Sequence, residues 1–363
     1  GNIELVESDF GVLKSELVKK YTWKTSSGFS VSVISYGAII QSILLPDKNG
    51  VIADVALGFD TLQNYLTMNT PDLLGGVVGR CVGRIANGTF TIDGEDYHLT
   101  RNCGHHHLHG ANEFDRVIDG NKVIFSYLSA DGNNGFPGDL LSSVCYEVKS
   151  DDTLHIEYTA VTSKTTVVNL SNHSYFNLAG HHTGSEGLYQ HTVVINSDKY
   201  LEGDSEWIPT GEFLNVGGSP FDLRTPKYLG DVISTDETSI RFHHNFVVNR
   251  RGVQGLGFVA RVEHPNSGRF MEVHSDQPGV IFYTAHYIKS PGHPTMIGKG
   301  GVVYNQNGGL CLETMNLVDA IHHDNFPSSL LKPGEVYKHN TVFIGAAVEC
   351  CDLKIFFQYV KLK

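Results

Sequence analysis

Positive charge is scarce in this sequence. Its 363 residues carry 27 lysines and arginines against 39 aspartates and glutamates, a formal net charge of −12. A surface that wraps a phosphate backbone depends on lysine and arginine displacing counterions, so nucleic acid is a poor candidate partner. A neutral polar ligand is indifferent to the field, whereas an anionic one needs a local basic pocket working against it. The six cysteines, Cys81, Cys103, Cys145, Cys311, Cys350 and Cys351, show no CxxC pair and no zinc-ribbon spacing, and read as free packed thiols. No apolar run approaches the ~18 residues that span a bilayer. Residues 1–10 do not read as a signal peptide, which favours the cytoplasm, with secretion the alternative if a leader has been removed. Three sequons, at Asn87, Asn169 and Asn172, are short enough to arise by chance. GxSxG, HExxH and Walker lysine motifs are missing too, and so is any βαβ rhythm.

What remains is strand periodicity. In 153–161, Leu154, Ile156, Tyr158 and Ala160 alternate with polar residues, as expected when one sheet face is buried. Asp93-Gly94 separates two alternating runs in 88–99, a strong hairpin signal because a tight primed turn needs positive φ. The stretch 257–275 reads as two strands joined by Pro-Asn-Ser-Gly. Helical patterns are short, at 61–68, 227–234 and 317–323. With 39 glycines and 12 prolines among short strands, the class is all-β, a large antiparallel β-sandwich. No linker or fixed-period repeat appears, so residues 1–343 are expected to form one domain. Residues 344–363 are a weakly alternating extension without an assigned role.

Histidine is abundant, at 19 residues. The densest cluster, His105-His106-His107-Leu108-His109, invites a metal reading, but neighbours on an extended chain point in alternating directions while zinc needs convergent ligands. A solvated histidine loop with one functional member is expected instead, and no metal. His181-His182 and His322-His323 lie in polar stretches and read as exposed. His173 follows the apolar run Val167-Val168-Asn169-Leu170 at a strand end, where a structural and a functional imidazole are equally well supported. Alternation in 309–315 puts Glu313 on one face with Cys311 and Met315. A carboxylate there is partly desolvated, which raises its pKa and strengthens it as a proton acceptor; an edge-strand glutamate in water is the alternative.

Several segments together resemble the galactose mutarotase (aldose 1-epimerase) family from about Phe29 to Phe343. They are Val77 to Arg80 with Arg84 to Phe90, Leu108-His109-Gly110, Asp131 to Leu140, Asn172 to Gly180, Gln277 to Thr284, and Cys311 to Thr314. The resemblance implies a β-supersandwich with an open sugar cleft and no metal or organic cofactor. It implies Glu313 as the base that takes the anomeric hydroxyl proton and His173 as the acid toward the ring oxygen. Glu313 then starts ionised and His173 protonated, with the sugar ring lying between them. His109, Arg84 and Gln277 would hold substrate oxygens. Four departures fall where the family presents substrate-facing groups: Gly83 for asparagine, His243 for aspartate, Met315 for glutamine, and a 113–119 stretch without tryptophan. His243 offers fewer acceptors than a carboxylate and, at a sugar-reading position, is able to carry a positive charge. The expected function is interconversion of the anomers of a free aldose such as galactose or glucose, by a monomer or weak dimer. The alternatives are an enzyme of the same fold acting on a non-sugar lactol and a non-catalytic carbohydrate-binding protein.

Overall fold

The computed structural model describes residues 2–67, 73–109, 115–233, 241–289 and 293–347. Gly110, Glu113, Phe114, the last residue of the 61–68 and 227–234 segments, and residues 348–363 therefore lie outside the described residues. Three large sheets carry the chain, and every pairing between their strands is antiparallel. A five-stranded meander runs from Glu4–Leu13 to Ile52–Asp54. A nine-stranded sheet centres on Thr153–Thr162, Tyr337–Ala347 and Arg269–Ser275. The third sheet orders Pro209–Asn215, Lys199–Gly203, His243–Val247, Gly279–Tyr283 and Cys311–Met315. One apolar cluster draws on all three, with Trp23 and Val33 from the first, Phe125, Tyr146 and Ile156 from the second, and Phe246, Phe282 and Leu312 from the third.

Local steric rules account for much of this. Leu154, Ile156, Tyr158 and Ala160 are buried, because a period of two sends them to one face of Thr153–Thr162. Asp93 and Gly94 take φ of 52° and 82° between Thr89–Ile92 and Glu95–His98, the backbone an I′ turn requires. Gly257–His264 pairs with Arg269–Ser275, with a register shift between Phe258 and Ala260. Helix is confined to short pieces, including Leu62–Thr67 and Leu229–Val232, and the 317–323 pattern yields only a single 3-10 turn, Ala320–His322. The last strand runs past Phe343 to Ala347, which pairs with Arg269. No helix among the described residues is long and apolar enough to cross a membrane.

Two buried polar side chains tie distant loops together. Arg80 is 4% exposed, and its guanidinium donates to the carbonyls of Ser129, Ala130, Pro137 and Gly138 at 2.8 to 3.0 Å. Asn172 donates to Gly75 O at 2.7 Å and accepts from the backbone N–H of Ser174 at 3.0 Å. Asn169 and Asn172 are both buried, so two of the three sequons serve the interior.

Candidate active site

A cavity of about 380 Å³ opens beside the third sheet, and its wall brings together Arg84, His109, His173, His243 and Glu313. These five come from separate stretches of chain. Glu313 projects from Cys311–Met315 opposite Ile281 of Gly279–Tyr283. Its strand mates divide as the alternation predicts: Leu312 joins the main core, while Cys311 and Met315 pack in the cluster beneath the cavity. His173 follows the two-residue strand Ser171–Asn172, held in place by backbone bonds from His173 N to Gly76 O (2.8 Å) and from Gly75 N to His173 O (2.9 Å). Its ring stacks on Tyr175 at 5.0 Å.

His173 and Glu313 are neighbours. His173 Nε2 lies 3.6 Å from Glu313 Oε1, with side chains only 6% and 3% exposed. A sugar ring does not fit between them, which corrects the expectation from sequence. The anomeric and ring oxygens of a cyclic aldose are both bonded to C1, so a pair of groups expected to act on them would stand side by side. The protonation states also differ from those expected. Burial pushes the Glu313 carboxyl up to about 8 and the His173 imidazole down to about 4, because each loses water that solvates its charged form. Near neutral pH the resting pair is a carboxylic acid beside a neutral imidazole.

Cys311 Sγ approaches the other face of this pair, 3.6 Å from His173 Nδ1. His173, Cys311 and Glu313 thus offer one ligand atom each within 4.8 Å. The two ring nitrogens of His173 are divided between the Cys311 sulfur and the Glu313 carboxylate, whereas zinc takes one nitrogen and draws its other ligands around the same point. The trio fits a hydrogen-bonded chain better than a metal centre.

His109 reaches the cavity from the ribbon that pairs Arg84–Ile85 with His107–Leu108. Its Nδ1 accepts from Gly83 N at 3.2 Å, which leaves Nε2 as the N–H donor. Its ring stands edge-on to His173 at 5.5 Å. His105 is exposed as a solvated loop requires, but His106 and His107 are buried, with Nδ1 of His106 accepting from Asn87 N and Nδ1 of His107 facing Thr100 O. Packing of the 100–108 turn against the neighbouring hairpin removes them from water. His182 and His322 are exposed, but His181 and His323 are half-buried; Tyr304 and His181 Nδ1 lie 3.1 Å apart.

Gln277 does not line the cavity. Residues 276–278 form a turn tied to Asn340, and the Gln277 amide donates to Asp276 Oδ1 at 2.9 Å. Ile281 and Tyr283 are the residues of this segment that reach the site. Met315 is likewise wholly buried in apolar packing and presents nothing to a ligand. Gly83 has φ of 81°, and a Cβ there would fall 2.9 Å from Val318 Cγ2, so the wall at this point is closed by valine. His243 is at the wall as expected, but neutral: burial first, then the charge of Arg84, holds it well below the ordinary histidine range.

Trp207 is the residue sequence reasoning missed. It lies at the cavity with φ of 63°, stacked on His243 at 5.0 Å and 21°, and its Nε1 donates to Tyr287 OH at 2.9 Å. The chain has only two tryptophans, and Trp23 is wholly buried, so a half-exposed Trp207 was the one available signal. A flat aromatic wall suits the apolar face of a sugar. Trp207→Ala is expected to raise KM by roughly threefold to tenfold with little change in kcat, measured by initial rates of anomer exchange.

The family model for aldose 1-epimerase matches residues 19–343. Galactose mutarotase of Bos taurus is 44% identical over 324 residues, covering 88% of this chain and 91% of that protein. Aldose 1-epimerase of Escherichia coli is 30% identical over 334 residues, covering 89% and 93%. A crystal structure of an aldose epimerase homologue from C. elegans superposes with a TM-score of 0.82 at 26% identity, covering 96% of this chain and all of that one.

Proposed function

Since the chain belongs to the aldose 1-epimerase family, we propose that it interconverts the α and β anomers of a free aldose with Glu313 and His173 as its proton-transfer pair. The observation that carries the assignment of residues is their adjacency, 3.6 Å apart and buried on one cavity wall. Ring opening removes a proton from the anomeric hydroxyl and adds one to the ring oxygen as the C1–O5 bond breaks. A Glu313 carboxylate takes the first and a His173 imidazolium gives the second. The product is an open-chain aldehyde beside a carboxylic acid and a neutral imidazole.

That product state is the one burial favours. The ionised and neutral forms of the pair contain the same single proton, and desolvation stabilises the neutral form. The site therefore penalises the ion pair that starts the reaction and relieves the penalty as the ring opens. Rotation about C1–C2 then presents the other carbonyl face. Reclosure reverses both transfers and restores the ion pair. His109, an Nε2–H donor fixed by Gly83, serves a substrate oxygen, and Arg84 and His243 face the same space.

The pH dependence follows with a definite sign. The raised Glu313 pKa keeps the shared proton in place until pH approaches about 8, and the lowered His173 pKa refuses a second until pH falls to about 4. We expect kcat/KM, measured by NMR of freshly dissolved single anomers and corrected for spontaneous mutarotation, to be level between these limits. It should fall on the alkaline side as the proton is lost. A profile that instead climbs steadily through pH 8 would remove Glu313 from the proton-transfer role.

A further inference from the structure

A guanidinium stands on the cavity wall. Arg84 is half-buried there, and among the described residues no carboxylate pairs with it. The two carboxylates on the wall are engaged elsewhere: Glu313 faces His173, and Glu202 accepts from Thr210 Oγ1 at 2.7 Å. Asp319, behind the wall, accepts from Ala86 N at 3.1 Å and meets His322 Nδ1 at 2.7 Å. His109 and His243 are neutral, burial being the main cause, and the Glu313–His173 pair has no net charge in either proton arrangement. Arg84 is thus a positive charge without an ion-pair partner among the described residues, on a wall whose other charged group, the Glu202 carboxylate, is bound to Thr210.

Polar atoms on the wall also lack partners: Asn245 Nδ2 is buried without a hydrogen-bond partner, and so are Nδ1 of His243 on the same strand and Oε2 of Glu313. Arg84 adds a planar fork of N–H groups, and His109 adds its Nε2–H. A cation drawn from water without a counterion is costly, and a ligand that brings its own anion removes that cost.

We propose that the preferred substrate is an aldose bearing a carboxylate, a uronic acid, with its carboxylate held by Arg84 and its C1 at His173 and Glu313. The proposal rests on the anomer-interconverting function above. Arg84 lines the same wall as His173 and Glu313, and its charge acts on both His109, whose ring is 5.5 Å from His173, and His243. A single guanidinium fork matches a carboxylate bidentately and neutralises it, whereas a phosphate dianion would keep a charge without a partner.

The test uses the full chain and compares anomer exchange of galacturonate and glucuronate with galactose and glucose, each added as a single anomer. The uronate is expected to show a kcat/KM at least about tenfold above its hexose, with the margin shrinking as salt rises. Arg84→Gln should lower the uronate-to-hexose ratio by about tenfold, and Arg84→Lys, which keeps the charge but not the fork, by less. His243→Asp gives Arg84 an internal counterion and should move the ratio the other way, toward the neutral hexose. Equal wild-type rates for both classes, an equal loss for both in Arg84→Gln, or a preference for hexose 6-phosphate over uronate overturns the proposal. Absence of exchange with every aldose, charged or neutral, overturns the anomer-interconverting function itself and this proposal with it.

Discussion

Replacing Glu313 with glutamine is expected to cut anomer exchange by roughly 10²–10⁴-fold while making the folded protein more stable at neutral pH. Both effects have one cause. The carboxyl is 3% exposed, its Oε2 has no hydrogen-bond partner among the described residues, and burial holds its pKa at about 8 against an ordinary 4.5. Between those two pH values the unfolded chain releases a proton that the folded chain keeps. Stability therefore falls as pH rises above 4.5 and stops falling once pH passes about 8. At pH 7 this amounts to an upper bound of about 3 kcal/mol, which a neutral amide of the same shape does not suffer. The melting temperature of Glu313→Gln should exceed that of wild type at pH 7 and converge with it near pH 4.5. A variant that loses stability at pH 7 would show that the carboxylate is welcomed by the fold, contrary to the desolvated site described here.

Arg80→Met should be among the most damaging single substitutions for stability, although Arg80 lies only four residues from Arg84 in one motif. Removing its guanidinium strips four backbone carbonyls, at Ser129, Ala130, Pro137 and Gly138, of a charged donor in a buried setting. With ~1 kcal/mol or more for each orphaned acceptor, the loss is about 4 kcal/mol or greater. Thermal unfolding should shift downward by roughly 5 °C or more. Arg84→Gln, half-exposed and without a carboxylate partner among the described residues, should stay within about 1 kcal/mol of wild type in the same assay. Equal losses for the two arginines would contradict the division of labour between brace and binding group.

That division could not be seen in the sequence, where both residues are arginines beside glycine in a strand-like stretch. The sequence did determine what depends on near neighbours along the chain. Alternation of two follows from backbone sterics, so the buried face of Thr153–Thr162, the Asp93-Gly94 turn and the shared face of Cys311, Glu313 and Met315 were legible. The raised pKa of Glu313 followed from the same alternation. His109, His173 and Glu313 were legible for a different reason, the set of motifs carried in order along the chain, and they meet in one cavity.

Tertiary structure decided everything that turns on which distant segments pack together. Gln277 was drawn away by Asp276 and the turn tied to Asn340, Met315 was swallowed by the core, and Trp207 was brought to the wall by a loop that no local period describes. It also decided where the shared proton rests. Desolvation is a property of the whole shell around a group, so only the assembled cavity makes His173 a poor cation and Glu313 a poor anion, 3.6 Å apart.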